Sequence, residues 1–247
     1  MSNAIDIQDL VVEFPGAHGG AVHALQGLSL SVAQGQVYGF LGPNGAGKTT
    51  TMHVLVGFIE ATAGTARLFD EDVRHTIARR RIGYLPEHPD TYRFLTGREL
   101  LLITGRLFGL PHAARNARAA ELLAVVGLEK AADRRLATYS RGMLQRIGLA
   151  QALVNDPDLV ILDEPASGFD PLGRIRIREI IIALRERGKT VFFSSHELSE
   201  VERVCDRIGI LADGRLVAEG RVAELVKAGG PAVAGESLEQ YFIRVVS

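Results

Sequence analysis

A glycine-rich run with one lysine and one threonine carries the strongest chemical signal in the sequence. Residues 42–49 read Gly-Pro-Asn-Gly-Ala-Gly-Lys-Thr and fit the P-loop pattern G-x-x-x-x-G-K-S/T in full. Glycines let backbone N–H groups curl inward around an anion, and the start of a following helix adds partial positive charge. Lys48 supplies a full charge for the outer phosphates of a nucleotide, and the Thr49 hydroxyl can bind Mg²⁺. An apolar strand at 37–41 precedes the run and a helical pattern follows it, which favours a phosphate cradle over a chance turn.

Two adjacent carboxylates end a second apolar strand. Residues 159–162 read Leu-Val-Ile-Leu and lead directly into Asp163 and Glu164. This strand would deliver Asp163 to the metal side of the phosphates as a Mg²⁺ ligand. Because two neighbouring carboxylates cannot both face the metal from one strand end, Glu164 is free to orient or deprotonate an attacking water. The alternative is an acidic helix cap after a core strand, which the complete P-loop upstream makes the weaker interpretation.

The elements that must position these residues follow an α/β pattern. Continuous apolar runs predict strands buried on both faces, as in a parallel sheet covered by helices. These runs are residues 37–41, 82–85, 159–162, 190–193 and 208–211. Polar residues cluster at the C-terminal ends of the runs, where open α/β sheets bind ligands. The last run leads into Asp213-Gly214, a hairpin signal, with a returning strand at 216–218.

Three other segments differ from this core pattern. Between Pro86 and Asn155 helix signals dominate, including a capping box formed by Thr96 and Glu99. The N-terminal segment alternates apolar and polar residues, which suits a small antiparallel sheet. Near the end of the sequence, Ser237 and Gln240 can cap a last short helix.

Composition is typical of an ordinary soluble, globular protein. The 247 residues are 47% hydrophobic and 23% charged, and the net charge of −1 gives no general attraction for nucleic acid. The single cysteine, Cys205, excludes an internal disulfide and fits a reducing compartment. No window approaches the roughly 20 apolar residues that a membrane span needs. Residues 1–8 lack the apolar core of a secretory signal, so we expect a protein that does not cross a membrane.

Further motifs make the sequence resemble the nucleotide-binding domains of ABC transporters. Residues 139–146, Tyr-Ser-Arg-Gly-Met-Leu-Gln-Arg, resemble the ABC signature. Residues 163–170, Asp-Glu-Pro-Ala-Ser-Gly-Phe-Asp, resemble the Walker-B glutamate and D-loop of that family. Residues 194–196, Ser-Ser-His, look like its switch histidine. The order and spacing of these motifs match the family over nearly the whole chain, and it is their conjunction that is specific.

The resemblance implies a fold and its subdivisions. The fold is that of an α/β P-loop NTPase (RecA-like), with a mainly parallel sheet core, an N-terminal antiparallel β subdomain and an inserted α-helical subdomain. Residues 1–247 would form a single nucleotide-binding domain. Its expected parts are the antiparallel subdomain at 1–35 and about 60–75, the ATPase core at 36–59, 76–86 and 156–228, the helical subdomain at 87–155, and a C-terminal tail with a short helix at 229–247.

The resemblance also implies an activity and partners. The chain would be the ATP-hydrolysing subunit of an ABC transporter, using ATP and Mg²⁺ and driving a separate integral membrane permease subunit. Such domains work as head-to-tail dimers, here with a second copy or a paralogue. The chain would lie in the cytoplasm, peripheral on the inner face of the cell membrane, with no nucleic-acid partner. Residues 84–87, 95–99 and the signature look most like the drug-, antibiotic- and polysaccharide-export branch, so we expect an exporter.

Roles for single residues follow from the same resemblance. Glu164, His196 and Lys48 would be catalytic, and His196 would reach the γ-phosphate. Ser140 and Gly142 would contact ATP held by the partner subunit. The expected nucleotide-binding residues are Phe14, which would stack on adenine, Gly42, Pro43, Asn44, Gly45, Ala46, Gly47, Lys48, Thr49, Thr50, Glu87, Ser140, Gly142 and the D-loop residue Asp170, and the expected metal ligands are Thr49, Asp163 and Glu87.

The sequence departs from the family pattern at several positions, of which Phe169 in place of a usual leucine is conservative. Glu87 stands where the family usually has glutamine, so it adds negative charge close to phosphate. Arg141 replaces the first usual glycine of the signature, and Met143 replaces its glutamine. Ser140 and Gly142, on which the partner contact depends, remain.

Alternative interpretations stay open for several residues. Phe14 could be a core residue of the N-terminal sheet, and Ser140 simply a helix cap. Glu87 could be a solvated loop acid, and His196 a structural or solvated histidine. The chain as a whole could instead be a soluble ABC ATPase acting on nucleic acid or ribosomes, or a regulator that binds ATP without hydrolysis. The sequence has no stripe of basic residues, which argues against a partner of nucleic acid or ribosomes. The intact Glu164 and His196 argue against a regulator that does not hydrolyse ATP.

Overall fold

Two β-sheets share an apolar core, to which helical residues also contribute. The computed structural model describes residues 2–16, 20–89, 91–169, 171–227 and 237–246. The strands are β1 (Asn3–Pro15), β2 (Ala21–Ala33), β3 (Val37–Leu41), β4 (Ala63–Leu68), β5 (Glu71–Asp72), β6 (Ile82–Leu85), β7 (Leu159–Leu162), β8 (Thr190–Ser195), β9 (Arg207–Ala212) and β10 (Arg215–Gly220). The helices are α1 (Lys48–Leu55), α2 (Gly97–Leu107), α3 (His112–Val125), α4 (Arg141–Ala152), α5 (Pro171–Glu186), α6 (Leu198–Val204), α7 (Val222–Lys227) and α8 (Leu238–Val246).

The larger sheet has six strands in the order β10-β9-β3-β8-β7-β6. The five strands from β9 to β6 run parallel, and β10 is antiparallel at the edge after a tight hairpin. Every residue of β3, β7 and β8 is buried, as their continuous apolar sequences predict. The predicted parallel sheet is confirmed. Because these strands are parallel, the loops that follow β3, β6, β7 and β8 emerge at the same edge of the sheet.

The smaller sheet is antiparallel and has the order β2-β1-β4-β5. Its apolar residues alternate along β1, where Ile5, Ile7 and Leu10 are buried. They pack in one cluster with Phe40 of β3 and Met52 of α1. This packing fixes the smaller sheet against the P-loop and its helix, and it confirms the antiparallel sheet expected from the alternating pattern.

The segment between β6 and β7 is helical. Helices α2, α3 and α4 pack through Leu100, Leu122 and Ile147 in a second apolar cluster. The predicted capping box is confirmed: the Thr96 hydroxyl accepts from the Glu99 N–H at 3.1 Å, and the Glu99 carboxylate accepts from the Thr96 N–H at 2.8 Å. None of the helices in the described ranges has the length and apolar character needed to span a bilayer.

Candidate active site

A cleft of about 610 Å³ opens at the carboxyl edge of the parallel strands. It is lined by Ala24, Gly42, Pro43, Asn44, Gly45, Gly47, Lys48, Thr49, Thr50, Glu87, Asp163, Glu164, His196 and Phe242. All of these except Ala24 and Phe242 were predicted as site residues from the sequence. The strand ends of one sheet edge therefore bring together residues that lie up to about 150 positions apart in the sequence.

The P-loop backbone requires glycine where it bends most sharply. Gly45 and Gly47 have φ of 83° and 105°, in the left-handed region that other residues adopt only with strain. A side chain at position 47 would also place its Cβ 2.6 Å from the carbonyl oxygen of Ala24. The glycines thus allow the loop to lie tightly against β2 while its amides stay free for an anion.

The P-loop lysine is folded back onto its own loop. Its Nζ donates to the carbonyl oxygen of Gly42 at 2.7 Å and to that of Pro43 at 3.1 Å. Burial lowers the pKa of Lys48, while the carboxylates of Glu164 and Asp163 act in the opposite direction. A phosphate anion in the cleft would offset the desolvation of the Lys48 ammonium through a direct charge–charge interaction. The cleft is therefore suited to a polyanion.

Asp163 is held by two hydroxyl groups. Thr49 donates through Oγ1 to Asp163 Oδ2 at 2.7 Å, and Ser194 donates through Oγ to Asp163 Oδ1 at 2.6 Å. Ser194 Oγ also accepts from the N–H of Glu164 at 2.7 Å. The sequence-based prediction of site residues missed Ser194. The sequence did contain a signal for Ser194, since it is a polar residue at the end of an apolar strand and lies two residues before His196.

The donor set at the strand ends fits Mg²⁺. This ion is usually held by one or two protein oxygens together with substrate phosphates and water. Thr49 and Asp163 supply a hydroxyl and a carboxylate already in contact with each other. The described ranges contain no group of three or more His, Cys, Asp or Glu side chains suited to holding a metal without substrate. Glu87 lines the same cleft and lies 3.8 Å from Nε2 of His88, so its carboxylate faces both the cleft and a surface histidine.

Glu164 and His196 form a direct pair over the cleft. Nδ1 of His196 lies 2.8 Å from Oε2 of Glu164, and the Glu164 side chain is only 12% exposed. Glu164 has φ of 48°, a strained backbone conformation for a residue other than glycine. The Ser194 hydrogen bond to its N–H holds this conformation. A carboxylate fixed in this way can accept a proton from a water molecule that attacks a phosphate in the cleft.

The signature residues lie in a second, separate cleft of about 570 Å³. The residues lining it are Ser140, Arg141, Gly142, Arg146, Gly168, Phe169, Leu172, Gly173 and Arg176. Ser140 is the N-cap of α4, and its Oγ accepts from the Met143 N–H at 3.3 Å. The structure therefore does not bring Ser140 and Gly142 to the P-loop of their own chain.

Two other predicted residues, Phe14 and Ala46, are described by the structure and do not line the P-loop cleft. Phe14 is 37% exposed at the end of β1, so the alternative that it is a core residue is wrong. The side chain of Ala46 is buried in the apolar core, and its carbonyl oxygen accepts from the Gly214 N–H at 3.1 Å. Asp170 lies outside the described residues.

Comparison with known proteins decides the family. A sequence model described as ABC transporter matches residues 25–167, which is more than half of the chain. The chain belongs to the ABC transporter family. The family membership predicted from the signature, Walker-B and switch motifs is thereby confirmed.

Relatives of this ABC protein include two bacterial ATP-binding proteins. One is an uncharacterized ABC transporter ATP-binding protein of Nostoc sp., 50% identical over 83% of this chain and 62% of the relative. The other is a Nod factor export ATP-binding protein of Paraburkholderia xenovorans, 44% identical over 82% of this chain and 67% of the relative. The chain spans about 60% of the length of the first curated relatives that it matches.

A solved structure of an ATP-binding subunit of an ABC transporter has the same fold. It superposes with a TM-score of 0.87 at 29% identity, over 99% of this chain and 100% of the other. The predicted fold class, a P-loop α/β core with an added antiparallel sheet and helices, is confirmed.

Proposed function

We propose that this chain is the ATP-hydrolysing subunit of an ABC exporter and that it drives a separate membrane-spanning subunit. The observation that carries this proposal is the Glu164–His196 pair, 2.8 Å apart in a cleft that also holds the P-loop lysine. A cleft that only bound nucleotide would need the lysine and the loop amides but no partly buried Glu164 carboxylate paired with a histidine. The intact pair is therefore the reason to prefer hydrolysis over a purely regulatory role.

Binding begins with the P-loop. Its amides and Lys48 hold the β- and γ-phosphates of ATP, and the positive end of α1 adds to their attraction. Thr49 and Asp163 would hold Mg²⁺, with Glu87 at the same edge, and the ion when bound offsets the negative charge of the phosphates. Phe14, exposed at the end of β1, is proposed to stack on adenine.

Hydrolysis uses the residues that follow β7 and β8. Glu164 accepts a proton from the attacking water as its oxygen bonds to the γ-phosphorus and the bond to the bridging oxygen of ADP breaks. His196 orients Glu164 through their contact and donates toward the γ-phosphate. The products are ADP and inorganic phosphate, and the proton passes from Glu164 to solvent.

Two copies of this domain, or one copy and a paralogue, are proposed to complete each site. The signature cleft shares no residue with the P-loop cleft, so Ser140 and Gly142 are available only to nucleotide held by another subunit. Ser140 lies at the beginning of α4, where N–H groups and the helix dipole favour a phosphate. Asp170 is proposed to belong to the loop that links the two sites.

An exposed aromatic pair suggests where the membrane subunit docks. Tyr92 and Phe94 are 69% and 71% exposed, and their rings lie 5.8 Å apart in the segment that joins Glu87 to α2. Exposed aromatic residues that contact each other are typical of a binding surface. This position would connect the permease to the nucleotide cleft through Glu87, and it would place the domain at the cytoplasmic face of the membrane.

Outward transport and the division of the domain are also proposals. The Nod factor export relative supports export as the direction of transport. The proposed parts are the antiparallel subdomain at 1–35 and about 60–75, the ATPase core at 36–59, 76–86 and 156–228, the helical subdomain at 87–155 and the C-terminal tail at 229–247. Docking of the permease would involve the helical subdomain, and hydrolysis would remain in the core.

The test is Mg²⁺-dependent ATP hydrolysis by the purified chain as a function of protein concentration. A rate per subunit that rises with concentration is the expected result, because composite sites form only on dimerisation. A rate independent of concentration, together with a monomer by sizing in the presence of ATP, would contradict the composite site. No hydrolysis even with a membrane subunit supplied would contradict the enzymatic role.

A further inference from the structure

The C-terminal helix contributes an aromatic side chain to the nucleotide cleft. Phe242, in α8, is half-buried and lines the cleft together with the P-loop and His196. The other lining residues belong to the P-loop, to the first turn of α1, to β2 or to loops at the carboxyl edge of the sheet. Phe242 is also the largest apolar side chain of the lining, since the other apolar members are Ala24, Pro43 and the glycines. A wall of this kind excludes water from a phosphate site.

The same helix is attached to the helix that follows the switch histidine. The N–H of Leu238, the first residue of α8, donates to Oε1 of Glu202 in α6 at 3.3 Å. Leu238 is fully buried in the cluster that holds Val201 and Val204 of α6. Helix α8 contacts the cleft directly through Phe242. It also packs on α6, which begins two residues after His196, so its position is connected to that of the histidine.

We infer that α8 is a positioning element of the nucleotide site, with Phe242 as its contact residue. The inference rests on the proposed ATP-binding function of the cleft. Docked α8 closes one side of the cleft with the Phe242 ring and holds α6, so that His196 stays against Glu164. Docking of α8 and occupation of the cleft by nucleotide then favour each other, because coupling between two binding equilibria is reciprocal.

The first consequence is that nucleotide stabilises the docked helix. Hydrogen–deuterium exchange of the full chain, with and without Mg²⁺ and a non-hydrolysable ATP analogue, measures this directly. Exchange should slow both in the P-loop and in residues 238–246. Protection of the P-loop with unchanged exchange in α8 would overturn the inference while leaving ATP binding intact. Absence of protection in both would overturn the proposed function and the inference with it.

The second consequence is a loss of affinity when the aromatic ring is removed. Phe242→Ala should raise the dissociation constant for the ATP analogue by about fivefold or more, in the usual range for coupled sites. Ile243→Ala is the matched control, since Ile243 is 55% exposed in the same helix and does not line the cleft. Phe242→Leu keeps most of the apolar volume and should recover most of the affinity.

A purely structural role for Phe242 gives a different set of results. In that case Phe242→Ala would lower the melting temperature but leave the dissociation constant unchanged, and the protection of α8 by nucleotide would persist. If Phe242→Ala is poorly folded, Glu202→Ala tests the same coupling from the other contact. That variant removes the hydrogen bond to Leu238 and should reduce the nucleotide-dependent protection of α8; unchanged protection would overturn the inference.

Discussion

The imidazole Nδ1 of His196 lies 2.8 Å from Oε2 of Glu164, across the ends of the adjacent strands β8 and β7. The two side chains differ in environment, since that of Glu164 is 12% exposed and that of His196 is 59% exposed. The partly buried carboxylate is therefore positioned by its neighbours, and the histidine lies on its more exposed side. This arrangement supports the proposal that Glu164 accepts the proton and that His196 orients it.

Replacing Glu164 by glutamine should abolish most turnover and retain nucleotide binding. The amide keeps the shape of the side chain but cannot accept the proton of the attacking water, so we expect kcat to fall by about 10²- to 10⁴-fold. Phosphate release and binding of a labelled ATP analogue measure the two properties separately. Glu129→Gln is a control on an exposed carboxylate outside the cleft. Unchanged turnover in Glu164→Gln would remove Glu164 from the mechanism.

The Ser194 hydroxyl should matter for both activity and stability. Ser194→Ala leaves the N–H of Glu164 without its partner and removes one of the two hydroxyl donors to Asp163. An unsatisfied buried donor costs about 1–3 kcal/mol, so the free energy of unfolding should fall by about that amount. Denaturant unfolding and ATPase rates measure the two effects.

The neighbouring serine provides the control for this prediction. Ser195→Ala removes a hydroxyl that accepts from the N–H of Glu197 at 2.9 Å, which is a local contact at the start of α6. Its effect on kcat should be smaller than that of Ser194→Ala. Equal effects of the two substitutions on kcat would mean that the contacts of Ser194 to Asp163 and Glu164 have no special role.

Most of the P-loop cleft could be predicted from sequence because its residues occur in short motifs at strand ends. Ser194 and Phe242 could not be predicted, because their roles depend on contacts with residues distant in the sequence. Ser194 reaches Asp163 only after β7 and β8 pair in register. Phe242 reaches the cleft only when α8 packs on α6, α7, β9 and β10, which no local pattern indicates. The overall fold was predictable because most of its strands are either continuously apolar or, like β1, broadly alternating despite a register shift between Ile7 and Leu10.

Nucleotide binding should take up a proton at alkaline pH. Burial lowers the pKa of Lys48 in the free protein, and a bound phosphate stabilises the charged ammonium and raises that pKa again. Between the two pKa values binding is accompanied by protonation, so affinity falls as pH rises through that range. Calorimetry in two alkaline buffers with different ionisation enthalpies measures the proton uptake.

The lowered pKa of Lys48 also predicts how the stability of the folded chain depends on pH. The pKa of Lys48 is lower in the folded than in the unfolded chain, so the unfolded chain binds more protons between the two values. The contribution of Lys48 to the free energy of unfolding should therefore rise with pH in that window. Lys48→Met removes both effects. A proton uptake that persists in this variant would assign it to another group.

Glu87→Gln should change how ATP binding depends on Mg²⁺. The carboxylate adds negative charge to the cleft beside Asp163 and Glu164, which opposes metal-free ATP and favours the metal complex. The glutamine variant should therefore bind ATP more tightly without Mg²⁺ and gain less affinity when Mg²⁺ is added. Titrations of a fluorescent ATP analogue at several Mg²⁺ concentrations measure the difference. An identical Mg²⁺ dependence in both proteins would make Glu87 a solvated loop acid.

The exposed pair Tyr92 and Phe94 should be needed for transport but not for basal hydrolysis. Replacing both by alanine removes two exposed, mutually contacting rings without touching a residue of either cleft. ATP hydrolysis by the isolated chain should therefore stay at the wild-type rate. Association with the membrane subunit, measured by co-purification from membranes, should be lost because aromatic residues dominate the energy of such interfaces.

Val217→Ala, at a 43% exposed position on the edge strand β10, is the control and should leave both properties unchanged. If the double variant still associates with the membrane subunit and transports, the permease docks elsewhere; if it loses basal hydrolysis as well, the pair contributes to the catalytic domain itself and not to coupling.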